Sequence, residues 1–300
     1  MQKKILITGS NGLLGQKIVY ALLKRKNIEI IATSKGENRL TNKYGYKYES
    51  LDITNKEEVE TIIALHQPQV LINTAAMTNV DACETSKAEC WDINVSAVSY
   101  LIKECNKFQT HLIHLSTDFI FDGENGPYKE EDQANPLSYY ANSKFESEKL
   151  LMKSSSKWSI IRTIIIYGVV DNMSRSNIVL WAKDALGKGQ KINVVDDQFR
   201  SPTLAEDLAE GCILTALKEA RGIYHISGKE TMSILELVYK VADFFNLDKS
   251  FVNPIKSNTL NQAAKRPPIT GFIIEKAINE LGYRPHSFEE GLKIVAEQLK

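Results

Sequence analysis

The segment Thr8–Gly15, Thr-Gly-Ser-Asn-Gly-Leu-Leu-Gly, constrains the fold more than any other part of the sequence. It stands between a short apolar run, typical of a buried strand, and a helical pattern. Gly9 permits a tight turn, Gly12 lets the backbone approach a pyrophosphate, and Gly15 lets the helix pack closely on the strand. The helix N-terminus would offer free N–H groups to phosphates. The segment therefore predicts a dinucleotide site, with a loop that only shapes a turn as the alternative.

Short apolar runs alternate with helical patterns through the first half of the chain. Predicted strands cover residues 4–8, 28–33, 48–51, 70–73, 111–116 and 158–166, and predicted helices cover 13–24, 57–66, 88–107 and 139–152. Continuous Ile, Leu and Val strands between helices are typical of strands covered on both faces. We therefore predict an α/β fold, a doubly wound parallel sheet of the Rossmann type.

The alternation of strand-like runs and helical patterns becomes less clear after Gly168, although residues 204–217 still predict a helix and residues 222–226 a strand. The remainder is predicted to be mostly helical. We expect a dinucleotide-binding domain of residues 1–167 plus about 201–226. A smaller mixed α/β C-terminal domain of about 168–200 plus 227–300 would bind the substrate.

Composition and charge exclude several function classes. Lys plus Arg and Asp plus Glu each number 37, so nothing provides the basic footprint of a nucleic-acid binder. The apolar stretch after Lys4 is too short for a signal peptide, and no uncharged run approaches the ~18 residues of a membrane helix. The four cysteines lack CxxC spacing, so we expect reduced thiols and no metal site. These features predict a cytoplasmic protein with no nucleic-acid and no membrane partner.

The residues after the second and third predicted strands bear on the cofactor. An acidic residue after the second strand would bond the ribose 2′-hydroxyl of NAD, but Ser34 and Lys35 stand there, with Arg39 beyond. Hydroxyls and cations suit a 2′-phosphate, so NADP(H) is favoured and NAD(H) is the alternative; the two cations would otherwise be solvated. Asp52 and Ile53 are expected to meet the adenine, and Asp52 is also a candidate helix cap.

Tyr140 and Lys144 are spaced i, i+4 on a predicted helix and so share one face. A nearby ammonium lowers a tyrosine pKa from about 10, and such a tyrosine can protonate a carbonyl oxygen as hydride arrives at carbon. Tyr20 and Lys24 have the same spacing but lie away from the strand ends where α/β sheets bind ligands. Tyr140 follows the strand that ends at Ser116–Asp118, which makes it the candidate acid.

The hydroxyl of Thr117 is expected to donate to the same substrate oxygen, with Ser116 as second choice; the alternative is that both only cap the strand. A Ser/His/Asp hydrolase is the competing class. The sequence contains no G-x-S-x-G elbow, and we interpret His111 and His114 as strand residues.

These residues together resemble the extended short-chain dehydrogenases/reductases, and among them the dTDP-4-dehydrorhamnose reductase family. The resemblance covers nearly the whole chain and rests on Thr8–Gly15, Asn73–Asp81, Ser116–Gly123, Asn135–Leu137, Arg162–Gly168 and Asp197–Thr203. The S-T-D-x-x-F-D-G stretch combined with the later D-D-Q-x-x-S-P-T stretch is fairly specific to this family.

The resemblance implies an NADPH-dependent reductase of a 4-keto-6-deoxy nucleotide-sugar. It implies Tyr140 as proton donor, Lys144 as the group that tunes it and holds the nicotinamide ribose, and Thr117 as the residue that orients the substrate carbonyl, with Asp118 beside the sugar. The expected cofactor-binding residues are Gly9, Asn11, Gly12, Leu13, Leu14, Gly15, Ser34, Lys35, Arg39, Asp52, Ile53, Ala75, Ala76, Tyr140 and Lys144.

Three departures from the family pattern fall on the substrate side. The usual R-T-S-W run ends in Ile165, so the aromatic wall for the sugar is missing. The usual glycine after D-D-Q-x is Arg200, which would either pair with a substrate phosphate or lie solvated. The usual R-P-x-N-S stretch reads Arg266-Pro267-Pro268-Ile269-Thr270.

Two alternatives therefore stay open. One is another extended reductase or epimerase with a different substrate. The other is a non-catalytic dinucleotide-binding subunit like the β subunit of methionine adenosyltransferase. A homodimer is also expected.

Overall fold

The computed structural model describes residues 2–172 and 176–300. Its strands are β1 (Lys3–Thr8), β2 (Ile28–Ser34), β3 (Lys47–Ser50), β4 (Val70–Asn73), β5 (His111–Thr117), β6 (Trp158–Thr163), β7 (Ile166–Tyr167), β8 (Ile192–Val195), β9 (Phe199–Arg200), β10 (Thr203–Leu204), β11 (Gly222–His225), β12 (Met232–Ser233), β13 (Val252–Ile255) and β14 (Ile269–Thr270). Its helices are α1 (Leu13–Leu23), α2 (Lys56–His66), α3 (Val80–Thr85), α4 (Lys87–Trp91), α5 (Ala97–Phe108), α6 (Tyr139–Met152), α7 (Ile178–Gly187), α8 (Ala205–Leu217), α9 (Ile234–Phe244) and α10 (Phe288–Gln298).

Seven of these strands form one parallel sheet in the order β11-β6-β5-β4-β1-β2-β3. The predicted doubly wound parallel sheet is therefore confirmed. Its register sets Thr8 beside Asn73 and Asn73 beside His114. Because parallel strands end at the same edge, the residues that follow these positions gather along one crevice.

The strands of this sheet are apolar because helices cover both faces. Ile5 and Ile7 point to the face that α1 and α8 cover, whereas Leu6 points to the face that α2 and α5 cover. All three side chains are fully buried. Burial of one such side chain is worth ~1.5–3 kcal/mol, so the sheet is a rigid base for the crevice.

A second hydrophobic core lies among the helices α7, α9 and α10. Three small sheets accompany it: β7 with β10, β8 with β13, and β12-β9-β14. The predicted mixed α/β character of the C-terminal part is therefore confirmed: after residue 226, helices predominate over strands that are only two to four residues long. The division into two domains stays a prediction. Residues 272–283 fall in its C-terminal part, although Phe272 and Tyr283 pack with the core of the large sheet.

Two other predicted elements differ in detail. The helix expected over 88–107 consists of α4, a π-helical turn at Asp92–Ser96, and α5. The strand expected over 158–166 stops at Thr163 and resumes as β7.

Within the described ranges, no helix is long and apolar enough to cross a membrane. The same residues contain no group of three or more His, Cys, Asp or Glu side chains that could hold a metal ion. All four cysteines are free and buried.

Candidate active site

The glycine loop is built as its spacing predicts. Gly9 has φ +69°, and a Cβ there would lie 2.8 Å from the Ala75 nitrogen. A Cβ at Gly15 would lie 2.4 Å from the Gly9 oxygen, so α1 approaches the loop as closely as backbone allows. Gly12 occupies the N-cap position of α1, where no side chain caps the helix. The start of α1 therefore lines the crevice without a side-chain cap, and its first N–H groups could bind an anion.

The outer part of the crevice is a cleft of about 450 Å³ at the ends of β1, β2 and β4. Its wall contains most of the residues predicted to bind the adenosine half of the cofactor, namely Gly9, Asn11, Gly12, Ser34, Lys35, Arg39, Asp52, Ile53, Ala75 and Ala76. The structure thus brings these predicted residues together around one cleft.

Asn11 and Asp52 organise this outer cleft. The Asn11 side chain donates to the Glu37 carbonyl oxygen at 2.8 Å and accepts from the Arg39 N–H at 2.8 Å. Asp52 pairs with Lys35 at 2.6 Å and accepts from Thr54. Although burial opposes them, these hydrogen bonds lower the pKa of Asp52. Asp52 is not the helix cap, because Asn55 caps α2 instead.

The inner part of the crevice is a second cleft of about 450 Å³, which shares Gly12, Thr74 and Ala76 with the first. Its wall contains Leu13, Leu14, Gly15, Thr117, Asp118, Tyr140 and Lys144. The phosphate loop and the predicted catalytic residues therefore line one continuous crevice.

Tyr140 and Lys144 lie on α6, which begins at the cap Ser138 and runs across the end of β5. Tyr140 is buried and lines the inner cleft together with Thr117. Burial raises the pKa of Tyr140 above its usual range, with the Thr117 contact opposing the rise. The expected lowering of this pKa by an ammonium is thus wrong here, because desolvation of the phenol dominates.

Lys144 lies at the floor of the inner cleft, with its Nζ 3.2 Å from His114 Nε2. Burial lowers the pKa of Lys144 to about 8, and the Glu148 carboxylate opposes that change. The pKa of the amine is therefore much closer to neutral pH than the usual lysine value.

Thr117 occupies the end of β5, where its hydroxyl donates to Asp118 Oδ1 at 3.1 Å and accepts from the Phe119 N–H at 3.2 Å. A hydroxyl has one proton to donate. Thr117 would therefore have to turn its proton away from Asp118 to serve the expected substrate oxygen.

Asp118 and Arg200 are both buried, and the structure supports neither role expected for Arg200. The guanidinium donates to the carbonyl oxygens of Pro267 at 2.6 Å and Pro268 at 3.0 Å, and its Nε lies 3.8 Å from Asp118 Oδ2. Arg200 is 1% exposed and does not line either cleft. It is a structural partner of Asp118, which also accepts from Thr270.

The residues present fit a nicotinamide dinucleotide. The hydroxyl oxygens of Ser116 and Thr163 are buried in the inner cleft, and within the described part of the chain neither has a hydrogen-bond partner. Buried hydroxyls of this kind normally have partners. Together with the glycine cradle, they point to a polar group at the inner end of the crevice, where the carboxamide end of a nicotinamide would lie.

Two residues around the inner cleft escaped the sequence prediction, Thr163 in its wall and Asn94 behind it. Thr163 follows from the rule that ligands lie at strand ends, since β6 ends there. Asn94 has no such signal. It sits in the π-helical turn, where its side chain bonds both backbone groups of Met77 and donates to Ser143 Oγ at 3.0 Å, so it fixes α6 beside the crevice.

The family description of the RmlD substrate-binding domain matches residues 3–300. The chain belongs to this family. The predicted similarity to the extended short-chain dehydrogenases/reductases is thereby confirmed.

Relatives of this RmlD-family protein include a dTDP-4-dehydrorhamnose reductase from Aggregatibacter actinomycetemcomitans, 32% identical over 97% of both chains. The methionine adenosyltransferase 2 subunit beta of Bos taurus is 31% identical over 88% of this chain and 78% of its own. Among solved structures, a dTDP-4-dehydrorhamnose reductase from Clostridium acetobutylicum superposes with a TM-score of 0.86 at 30% identity, covering 99% of both chains. That of Bacillus anthracis, in complex with NADP, gives 0.86 at 26% identity and covers 99% of this chain and all of its own.

Three of these four relatives are dTDP-4-dehydrorhamnose reductases, and the structure from Bacillus anthracis was solved in complex with NADP. Ile165, which stands where the family pattern has Trp, lines the inner cleft. The structure therefore locates this departure in the wall of the site.

Proposed function

We propose that this RmlD-family protein is an NADPH-dependent reductase of a 4-keto-6-deoxy nucleotide-sugar, of the dTDP-4-dehydrorhamnose reductase kind. The observation that carries the proposal is the single crevice that joins the glycine loop to Tyr140, Lys144 and Thr117. A nucleotide-sugar is the substrate class of the reductases it resembles.

The dinucleotide, when bound, supplies the hydride. Gly12 and the first turn of α1 would hold its pyrophosphate, and Lys144 its nicotinamide ribose. The buried Tyr140 phenol stays protonated and donates its proton to the substrate oxygen as that oxygen gains charge. Leu13, Leu14 and Ile165 form apolar walls that exclude water from the reacting carbon.

NADP(H) is the favoured cofactor because Ser34, Lys35 and Arg39 line the outer cleft. The Lys35 ammonium is 81% exposed and leaves its ion pair with Asp52 at little cost, so it is available to a 2′-phosphate. NAD(H) is the alternative, and comparison of the two dissociation constants by fluorescence titration decides between them.

The test of the proposed reaction is the oxidation of NADPH, followed by absorbance, with dTDP-4-dehydrorhamnose as substrate. We expect turnover by the native protein. Tyr140→Phe should reduce kcat by ~10²–10⁴ while NADPH binding is retained. A native protein that binds NADPH but reduces no keto nucleotide-sugar would refute the proposal, and an active Tyr140→Phe variant would refute the assignment of the acid.

The second candidate is a non-catalytic binding subunit, which the similarity to the bovine methionine adenosyltransferase subunit favours. Stable association with a methionine adenosyltransferase catalytic chain, together with no turnover, would support it. The expected homodimer is checked in the same preparations by light scattering.

A further inference from the structure

His114 is a buried group that the proposed reaction does not use. It lies on β5, three residues before Thr117, and its ring touches the base of the site rather than the crevice. Nε2 lies 3.2 Å from Lys144 Nζ and 3.0 Å from Ser147 Oγ, whereas Nδ1 lies 3.1 Å from Asn73 Nδ2.

The hydrogen bonds around His114 form a chain with one consistent direction. Thr8 Oγ1 donates to Asn73 Oδ1 at 2.6 Å, which turns the Asn73 amide N–H toward His114 Nδ1. At the other end, Ser147 Oγ donates to the Lys144 carbonyl oxygen at 2.7 Å and so is an acceptor toward His114. The side-chain donors of Thr8, Asn73 and Ser147 all have acceptors when Nδ1 accepts and Nε2 carries the ring proton.

This direction gives His114 two contacts with Lys144. Through Ser147, it reaches the backbone of Lys144 in α6, and through Nε2–H it faces the side-chain nitrogen. We propose that His114 is a positioning residue for Lys144: its neutral ring donates Nε2–H to Ser147 Oγ, which holds the turn of α6 that carries Lys144, and turns the same N–H dipole toward the side-chain nitrogen, which disfavours the ammonium form. For catalysis, this inference rests on the proposed function.

The surroundings of Lys144 agree with this arrangement. Burial, and then the charge of Lys144, hold the pKa of His114 well below its usual range, so the ring stays neutral. Within residues 2–172 and 176–300, the other ionisable groups that act on Lys144 are Glu148 on α6 and Cys90 on α4. Arg162 on β6 pairs with Glu148 at 2.8 Å, so that carboxylate is largely committed elsewhere.

The first test is a nitrogen NMR spectrum of the cofactor-free protein labelled with 15N-histidine, with the His114 signals assigned by their loss in His114→Gln. We expect a neutral ring protonated on Nε2 from about pH 6 to about pH 9. A ring protonated on Nδ1, or a charged ring in this range, would overturn the proposal. This spectrum needs only the native fold, so it decides the matter even when a variant is unstable.

The second test follows the 13Cε signal of Lys144 through a pH titration, again without cofactor. His114→Phe keeps an aromatic ring but removes the N–H, so the Lys144 midpoint should rise by about half a unit or more. His111→Phe is the matched control, because His111 is buried on the same strand and bonds Ser159 Oγ at 2.7 Å, away from the site. A Lys144 midpoint that stays or falls in His114→Phe would contradict the assignment.

The catalytic readout compares the same two variants. We expect His114→Phe to lower kcat by about tenfold to a hundredfold with KM for the nucleotide-sugar little changed, because a misplaced amine affects the reacting geometry. His111→Phe should lower only the melting temperature. Equal losses of kcat in both variants would mean a merely structural role. A native protein without turnover refutes the proposed function, whereas the two spectra still test His114.

Discussion

Substitution of Gly15 by alanine tests the geometry on which the cofactor site depends. The added Cβ would lie 2.4 Å from the Gly9 oxygen and 2.6 Å from the Ser10 Cα, both backbone atoms. Ordinary contact begins at 3.4 Å, so α1 and the loop must separate by about 1 Å. Overpacking of this kind costs ~1–3 kcal/mol, partly offset by the ~1 kcal/mol that alanine gains over glycine in a helix. We expect a net loss of about 1 kcal/mol.

Gly187→Ala is the matched control, since it is also helical and a Cβ there meets nothing within 4 Å. Urea unfolding should show the Gly15 variant destabilised and the Gly187 variant unchanged or slightly stabilised, by up to ~1 kcal/mol. NADPH affinity should fall only in Gly15→Ala, because the displaced helix no longer presents its N–H groups to the pyrophosphate. A Gly15→Ala protein with native stability and native affinity would refute the close approach of helix and loop.

Three further predictions concern the crevice and its base. The pKa of Lys144 is about 8 in the folded protein and ~10.4 in the unfolded chain, so the unfolded state binds more protons between these two pH values. The unfolding free energy of the native protein, measured relative to Lys144→Met, should therefore rise on the order of 3 kcal/mol from pH 8 to 10.4. A difference between the two proteins that does not change with pH would contradict this. Arg162→Met leaves the buried Glu148 unpaired and should lower the unfolding free energy measured in urea by ~3–5 kcal/mol. Adding Glu148→Met should recover most of this loss. A double variant no more stable than Arg162→Met would contradict the importance of the ion pair. Ile165→Trp restores the aromatic side chain of the family pattern in the wall of the inner cleft. KM for dTDP-4-dehydrorhamnose should then fall severalfold, which corresponds to about 1 kcal/mol of binding free energy, with kcat little changed. An unchanged KM would show that this wall does not bind the sugar.

The cofactor side of the site could be predicted from the sequence because its determinants are local. The spacing of Gly9, Gly12 and Gly15 is dictated by the turn between β1 and α1. The residues that end β1, β4 and β5 lie at one edge of the sheet because these parallel strands pair in register. A short apolar strand followed by polar residues therefore indicates both an element and its place in the crevice.

The features that escaped prediction depend on distant parts of the chain. Arg200 is buried because its guanidinium meets the carbonyl oxygens of Pro267 and Pro268, which no spacing within residues 197–203 reveals. The raised pKa of Tyr140 arises from packing around the phenol rather than from its i, i+4 partner. The π-helical turn that carries Asn94 spans only Asp92–Ser96 between two α-helices, which is too short for a separate period to be read from the sequence.

The three departures from the family pattern are not equivalent once they are placed in the fold. The R-P-P-I-T stretch keeps a hydroxyl at its last position, and Thr270 uses it to donate to Asp118, while the changed Ile269 is largely at the surface. Arg200 instead adds a cation beside the same carboxylate, which is buried and would otherwise carry uncompensated charge. Ile165 alone alters the wall of the cleft. Substrate preference should therefore differ from that of the family through the missing aromatic surface at Ile165 and through the electrostatics of Asp118, and not through the Arg266–Thr270 stretch.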